Sequence, residues 1–99
     1  MSSAAFHRDI CISADHPSLP GHFPGAPLVP GVVLLEQVAL ALRAWRDQRL
    51  VRVLEAKFLA PLLPNEQAEL DLTEMAERVR FEIRRGGALL ARGTVEAGS

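Results

Sequence analysis

Between residues 23 and 42 the chain carries one ionisable side chain, Glu36, set among Leu34, Leu35, Val38 and Leu40. A carboxylate buried in such surroundings costs several kcal/mol unless it is paired or neutralised. Two readings are open. Glu36 is either a solvated acid on a wet helix face, as lone acids on helices usually are, or a carboxylic acid kept protonated in a pocket and used as a general acid. The flanking leucines favour the second, because they leave little polar face to turn outward. Fourteen residues earlier stands His22, between Gly21 and Phe23-Pro24-Gly25. Histidine is the side chain most readily used as a base near neutral pH, and a proline-clamped loop holds its backbone still. Loop histidines are also commonly structural or merely exposed. That reading is taken for His7 and for His16, which with Asp15 would brace the loop ahead of Pro17. The third feature is Pro30-Gly31-Val32, where a helix start offers free amides at the positive end of its dipole. Glycine lets a ligand approach that backbone closely, which suits a developing oxyanion such as the enolate of a thioester. Gly31 equally permits a tight entry into the helix, and the two roles are compatible.

Other chemistries find less support. His7, Cys11, His16 and His22 fit no common zinc spacing, so no metal is expected. There is no Gly-rich phosphate loop and no G-x-S-x-G. Cys11 falls on the polar side of the first strand and reads as a small filler rather than a nucleophile.

The elements that must hold these residues follow from changes in apolar period. Phe6, Ile10 and Ile12 share one parity, which predicts a strand over residues 5–13. From residue 14 to 31 come five prolines (Pro17, Pro20, Pro24, Pro27, Pro30) and three glycines (Gly21, Gly25, Gly31), a long stiff loop of the kind that often carries function. From Gly31 the run VVLLEQVALALRAWRDQR is apolar on nearly every side for three turns, which predicts a buried helix whose end emerges at Arg43, Trp45, Arg46, Asp47 and Arg49. Its apolar part is too short to span a bilayer. Residues 50–60 read as a strand bounded by Pro61 and Pro64. Alternation then predicts strands over 68–73 and 78–84, Gly86-Gly87 a hairpin turn, and residues 88–96 a last strand. One helix and four following strands in meander style give an α+β arrangement with the sheet around the helix.

Size and composition fit this. The 99 residues suit one domain spanning 1–99, and a composition 48% hydrophobic and 23% charged argues against a disordered chain. A formal net charge of −1 marks no nucleic-acid binder. A single cysteine asks for no disulfide scaffold, and MSSAAFHRD does not read as a signal peptide, so a cytoplasmic protein is expected. So small a chain buries about two thirds of its unfolded surface, and help from a second subunit is expected.

The stretch GHFPGAPLVPGVVLLEQ, residues 21–37, resembles the signature of the 3-hydroxyacyl-[acyl carrier protein] dehydratases, and the His22-to-Glu36 spacing matches their housekeeping branch. AKFLAPLLPNE, residues 56–66, resembles a second block of the same family, where a strand runs into a proline turn. In having little chain ahead of its first strand the protein resembles the short members found in specialised fatty-acid-like and aryl polyene pathways. Position 40 is Leu where the longer enzymes usually carry a glutamine, and Asn65-Glu66 stands for the usual Gly-Asp.

The resemblance implies a hotdog fold, a curved antiparallel sheet of about five strands wrapped round one long buried helix. It implies dehydration of a 3-hydroxyacyl thioester to the trans-2-enoyl thioester, with His22 abstracting the α-proton and Glu36 protonating the departing hydroxyl. The Gly31 amide would hold the thioester oxygen, with Phe23, Pro30 and Val32 at the substrate. It further implies a homodimer joined sheet edge to sheet edge, in which the histidine and the acid of each site come from different subunits and whose stacking into a higher assembly is left open, and an acyl carrier protein presenting substrate on phosphopantetheine, with no metal or organic cofactor. Arg78, Arg80, Arg84 and Arg85, or Arg43, Arg46 and Arg49, would attract such an acidic carrier; a solvated sheet face explains the first group equally well. Two rivals remain: a hotdog thioesterase in which Glu36 activates water, and a non-catalytic acyl-binding or heterodimer partner.

Overall fold

The computed structural model describes residues 4–16 and 28–99. Its elements are β1 (Ala5–Cys11), α1 (Gly31–Arg46), β2 (Arg49–Phe58), β3 (Gln67–Met75), β4 (Arg78–Arg85) and β5 (Ala88–Gly98). The strands form one five-stranded sheet in the order β1-β3-β4-β5-β2, every pair antiparallel. This is the α+β arrangement expected from the sequence, with one correction. The strands after α1 are not a simple meander: β3, β4 and β5 follow one another, but β2 lies on the far side of β5 and never pairs with β3.

Local chemistry explains the turns. Gly86 and Gly87 take φ of 56° and 88°, the left-handed pair that a two-residue hairpin demands. At the end of α1, Asp47 adopts φ 54° and its N–H donates to the Arg43 carbonyl at 3.0 Å, closing the last turn.

The core forms where alternation predicts it. Ala68, Leu70 and Leu72 of β3, Val79, Phe81 and Ile83 of β4, and Ala91 and Val95 of β5 are buried, together with Ile10 and Ile12. Against them α1 packs Val33, Leu34, Val38, Ala41 and Leu42. Each large apolar side chain buried here is worth about 1.5–3 kcal/mol relative to exposure, so the helix is held mainly by this one stripe.

The opposite side of α1 overturns the expectation of an all-round buried helix. Val32 is 68% and Leu40 49% exposed, and Glu36, four residues from each, shares their stripe. One sheet has one inner face, and within a single subunit it covers one side of the helix. Cys11 is exposed too, so it fills no space in the core.

At the C-terminal end of α1, Trp45 stacks on Phe6 of β1 with ring centres 6.1 Å apart, and the Arg46 guanidinium lies 3.9 Å from the Trp45 ring. Arg46 also pairs with Glu74 at 2.6 Å, tying this end of the helix to β3.

Candidate active site

The helix start is built from two segments that the sequence places far apart. The Val29 amide donates to the Leu62 carbonyl at 2.9 Å, which ties the approach to α1 to the chain that follows β2. That second segment is pinned in turn. Leu59 and Ala60 amides both donate to the Leu90 carbonyl, and Arg85 reaches the Pro61 carbonyl at 3.2 Å and Glu66 at 2.7 Å. Glu66 also accepts the Leu63 amide at 2.9 Å. That bond, with the nearby Arg85, holds its carboxyl below the ordinary range, outweighing the opposing effect of partial burial. Asn65 closes the turn at φ 67°, a conformation open to glycine and tolerated by asparagine. The turn is thus formed without a glycine at this position.

Between the segments lies an apolar pocket of about 310 Å³, lined by Leu28 to Gly31, Leu34 and Phe58 to Leu62. Its floor is the first turn of α1. Pro30 precedes the helix with extended backbone, φ −62° and ψ 149°, and no side chain caps the end. The Val33 amide donates to the Pro30 carbonyl at 3.0 Å, while helix geometry leaves the amides of Gly31 and Val32 without an intrahelical acceptor. Gly31 has a second reason to be glycine: a methyl group there would come within 2.8 Å of the Phe58 ring.

The structure thus brings Pro30 and Gly31 to the pocket, while the Val32 side chain stands on the open face of the helix. Glu36 follows five residues on, about 7.5 Å along the axis, with its side chain 52% exposed. The described residues therefore do not enclose it. His22 and Phe23 lie outside the described residues.

The contact that sequence reasoning missed belongs to His16. Its backbone donates to the Ser13 carbonyl at 3.0 Å, and its Nε2 lies 3.2 Å from Glu36 Oε1. Asp15, expected to brace the loop together with His16, donates its amide to Ser13 Oγ at 3.1 Å, and most of the loop itself lies outside the described residues. No local pattern signals this pairing, because twenty residues and the whole proline loop separate the two side chains. His7 meets the other expectation. It sits on exposed β1 and bonds Asp71 at 2.8 Å. Among the described residues no group of three or more His, Cys, Asp or Glu side chains is placed to hold a metal ion, and no helix is long and apolar enough to cross a membrane.

Comparison with known proteins decides the family. Residues 2–94 match the model of the ApeI-like family, described as ApeI dehydratase. The chain belongs to the ApeI-like dehydratase family. Among curated relatives, a 3-hydroxyacyl-[acyl-carrier-protein] dehydratase FabZ of Haemophilus influenzae (strain PittEE) is 38% identical over 68% of this chain and 52% of its own length. The FabZ of Magnetococcus marinus is 34% identical over 85% of this chain and 61% of its own. The chain spans about half the length of the first of these. In structure, the dehydratase heterocomplex ApeI:P from Xenorhabdus doucetiae superposes with a TM-score of 0.86 at 18% identity, over 99% of this chain and 90% of that one. A 1,4-dihydroxy-2-naphthoyl-CoA thioesterase from Synechocystis superposes at 0.68 and 19% identity, over 94% and 80%. These neighbours establish the hotdog fold.

Proposed function

We propose that this chain dehydrates 3-hydroxyacyl thioesters, presented on the phosphopantetheine arm of an acyl carrier protein, to trans-2-enoyl thioesters. The observation that carries the reading is Glu36, the one ionisable side chain of residues 23–42, standing on α1 one and a half turns beyond an apolar pocket, in a chain of a dehydratase family.

The chemistry divides among three groups. His22, as a neutral imidazole, takes the proton from C2 of the acyl chain. The electrons left behind pass towards the thioester oxygen, where the Gly31 amide at the uncapped helix start, with Val32 beside it, stabilises the growing negative charge. Glu36 gives its proton to the C3 hydroxyl. The C3–O bond then breaks, the C2–C3 double bond forms, and water leaves. The turnover ends with imidazolium and carboxylate, which return to their starting states through solvent. Phe23 and Pro30 are taken as substrate-binding residues, and Leu28, Leu34 and Phe58 give the acyl chain an apolar wall. The reaction draws on no metal or organic cofactor.

The reading includes a homodimer, with residues 1–99 as one hotdog domain per subunit. It is supported by the uncovered stripe of Val32, Glu36 and Leu40 and by the open outer edge of β2. A second copy seated there would desolvate Glu36 and supply the histidine of the opposite site. Such an enzyme would work in the cytoplasm. The Xenorhabdus neighbour comes from a heterocomplex, so a different hotdog subunit is the competing partner, and the mass of the assembled protein separates the two.

The test follows enoyl-thioester absorbance and free thiol together on 3-hydroxyacyl thioesters of several chain lengths. Enoyl product without thiol is expected. Its rate should fall by about 100-fold or more in Glu36→Gln and in His22→Ala. Thiol without enoyl product would make the protein a thioesterase. Full activity in either variant would remove that residue from the mechanism.

A further inference from the structure

A general acid works only if its carboxyl group is held in one orientation, and α1 cannot hold Glu36. The side chains that neighbour it on the helix, three and four residues away, are Val32, Val33, Ala39 and Leu40, all apolar. The polar contact comes from outside the helix, from His16, whose Nε2 lies 3.2 Å from Oε1. We propose that His16 is a positioning residue for Glu36, binding one carboxyl oxygen so that the other carries the proton delivered to the substrate hydroxyl. The proposal rests on the dehydratase reading above and adds to it a residue beyond the His22–Glu36 pair.

Two features of the fold support it. The first is the rigidity of the turn that presents His16. Ser13 accepts the amides of Asp15 and His16 through its hydroxyl and carbonyl, the Ala14 amide donates to Asn65 Oδ1 at 3.3 Å, and the Asn65 amide donates to the Ile12 carbonyl at 2.7 Å. The turn is thereby anchored to the same segment that walls the pocket. The second is burial. The His16 side chain is 19% exposed against 52% for Glu36, so the imidazole is the more enclosed and the more fixed of the two.

The proton assignment follows from the role. With hydrogen on Nε2, His16 donates to Oε1 and leaves the acidic proton on Oε2. As Oε2 gives up that proton to the C3 hydroxyl, the carboxyl group gains negative charge and the Nε2–H···Oε1 bond becomes charge-assisted and stronger. The contact is thus worth more in the transition state than in the ground state, which is the condition for raising kcat rather than lowering KM.

Steady-state kinetics of His16→Ala, His16→Gln and the double variant His16→Ala/Leu40→Gln test this, with thermal unfolding of each. His16→Ala should lose about 10- to 100-fold in kcat with KM nearly unchanged. His16→Gln, which keeps a donor, should retain most of the rate. Leu40→Gln places an amide one helical turn from Glu36 and should recover about tenfold in the His16→Ala background. A purely structural role predicts instead lowered melting temperature and no rescue from position 40, and that outcome overturns the proposal. So does a His16→Ala enzyme with unchanged kcat. A wild-type protein that forms no enoyl product overturns the dehydratase reading and this role with it. In that case the His16 Nε2 resonance, compared between wild type and Glu36→Gln, still reports whether the contact exists.

Discussion

The two outer edges of the sheet are built differently. β1 is seven residues long, exposes His7, Asp9 and Cys11, and pairs with β3 in seven consecutive positions without a shift. β2 is ten residues long, has no fully buried residue, and pairs with β5 through two register shifts, at Leu50/Arg52 and Val53/Glu55. It exposes Val51 at 53%, Val53 at 36% and Phe58 at 48%. β2 also carries Arg49, Arg52, Glu55 and Lys57, so what separates the edges is length and exposed apolar side chains: short edges without such side chains resist pairing with other chains, and long ones that show them invite it. On this comparison β1 is the finished edge, and β2 is the edge at which the proposed dimer would form. The exposed Val32 and Leu40 of α1 add apolar surface that the proposed dimer would cover.

The largest effect should come from charging the unfinished edge. If the proposed dimer forms through β2, Val51→Asp/Val53→Asp is expected to give monomers by light scattering and to abolish dehydration, because in that proposal each site takes its histidine from the other subunit. Asp9→Lys on β1 should leave mass and rate unchanged. A dimer that survives the first pair and fails with the second substitution would exchange the roles of the edges.

A smaller effect is expected where β2 leans on β5. Gly93 lies opposite Ala56, and a methyl group there would overlap the Glu55 carbonyl oxygen and come within 2.6 Å of the Phe81 ring. Backbone cannot step aside as a flexible side chain can, so Gly93→Ala should cost about 1–3 kcal/mol in urea unfolding. An unchanged midpoint would mean that the bulged register of β2 is free to slide.

The smallest effect belongs to β1. The hydrogen bond from His7 to Asp71 raises the imidazole above its ordinary 6.5, with the Asp71 and Asp9 charges adding to it and desolvation opposing. A raised histidine contributes stability that is full below the unfolded value of 6.5 and is lost as pH climbs through the folded one. The melting-temperature gap between wild type and His7→Gln should therefore be open at about pH 6 and closed by about pH 9. A gap that widens with pH would contradict the pairing.

Much of this architecture is legible in the residues themselves. The alternation of Ala68, Leu70 and Leu72 and of Val79, Phe81 and Ile83 marks strands buried on one face, and Gly86-Gly87 marks their neighbouring hairpin. Pro30-Gly31 fixes the helix start to the residue. What alternation does not carry is who sits beside whom. β2 is apolar on both parities, which suits a central strand as well as an edge awaiting another subunit, so its place beyond β5 could not be read. The open face of the all-round apolar helix could not be read for the same reason, because hydrophobicity does not say which neighbour covers a residue. For the site, the Glu36 surroundings were visible along the helix, whereas the His16 contact joins side chains twenty positions apart in sequence. Spacing rules describe helices and strands, and they say nothing of contacts that distant.

Trp45, the one tryptophan of the chain, stacks on Phe6 beneath Arg46 at the β1 side of the molecule, across the sheet from β2. The protein therefore carries a native optical reporter on its finished edge. Its emission should follow undocking of α1 from β1 and stay blind to events at β2. Separation of the proposed dimer and unfolding of the chain would accordingly be told apart in one unlabelled sample, by scattering for the first and fluorescence for the second.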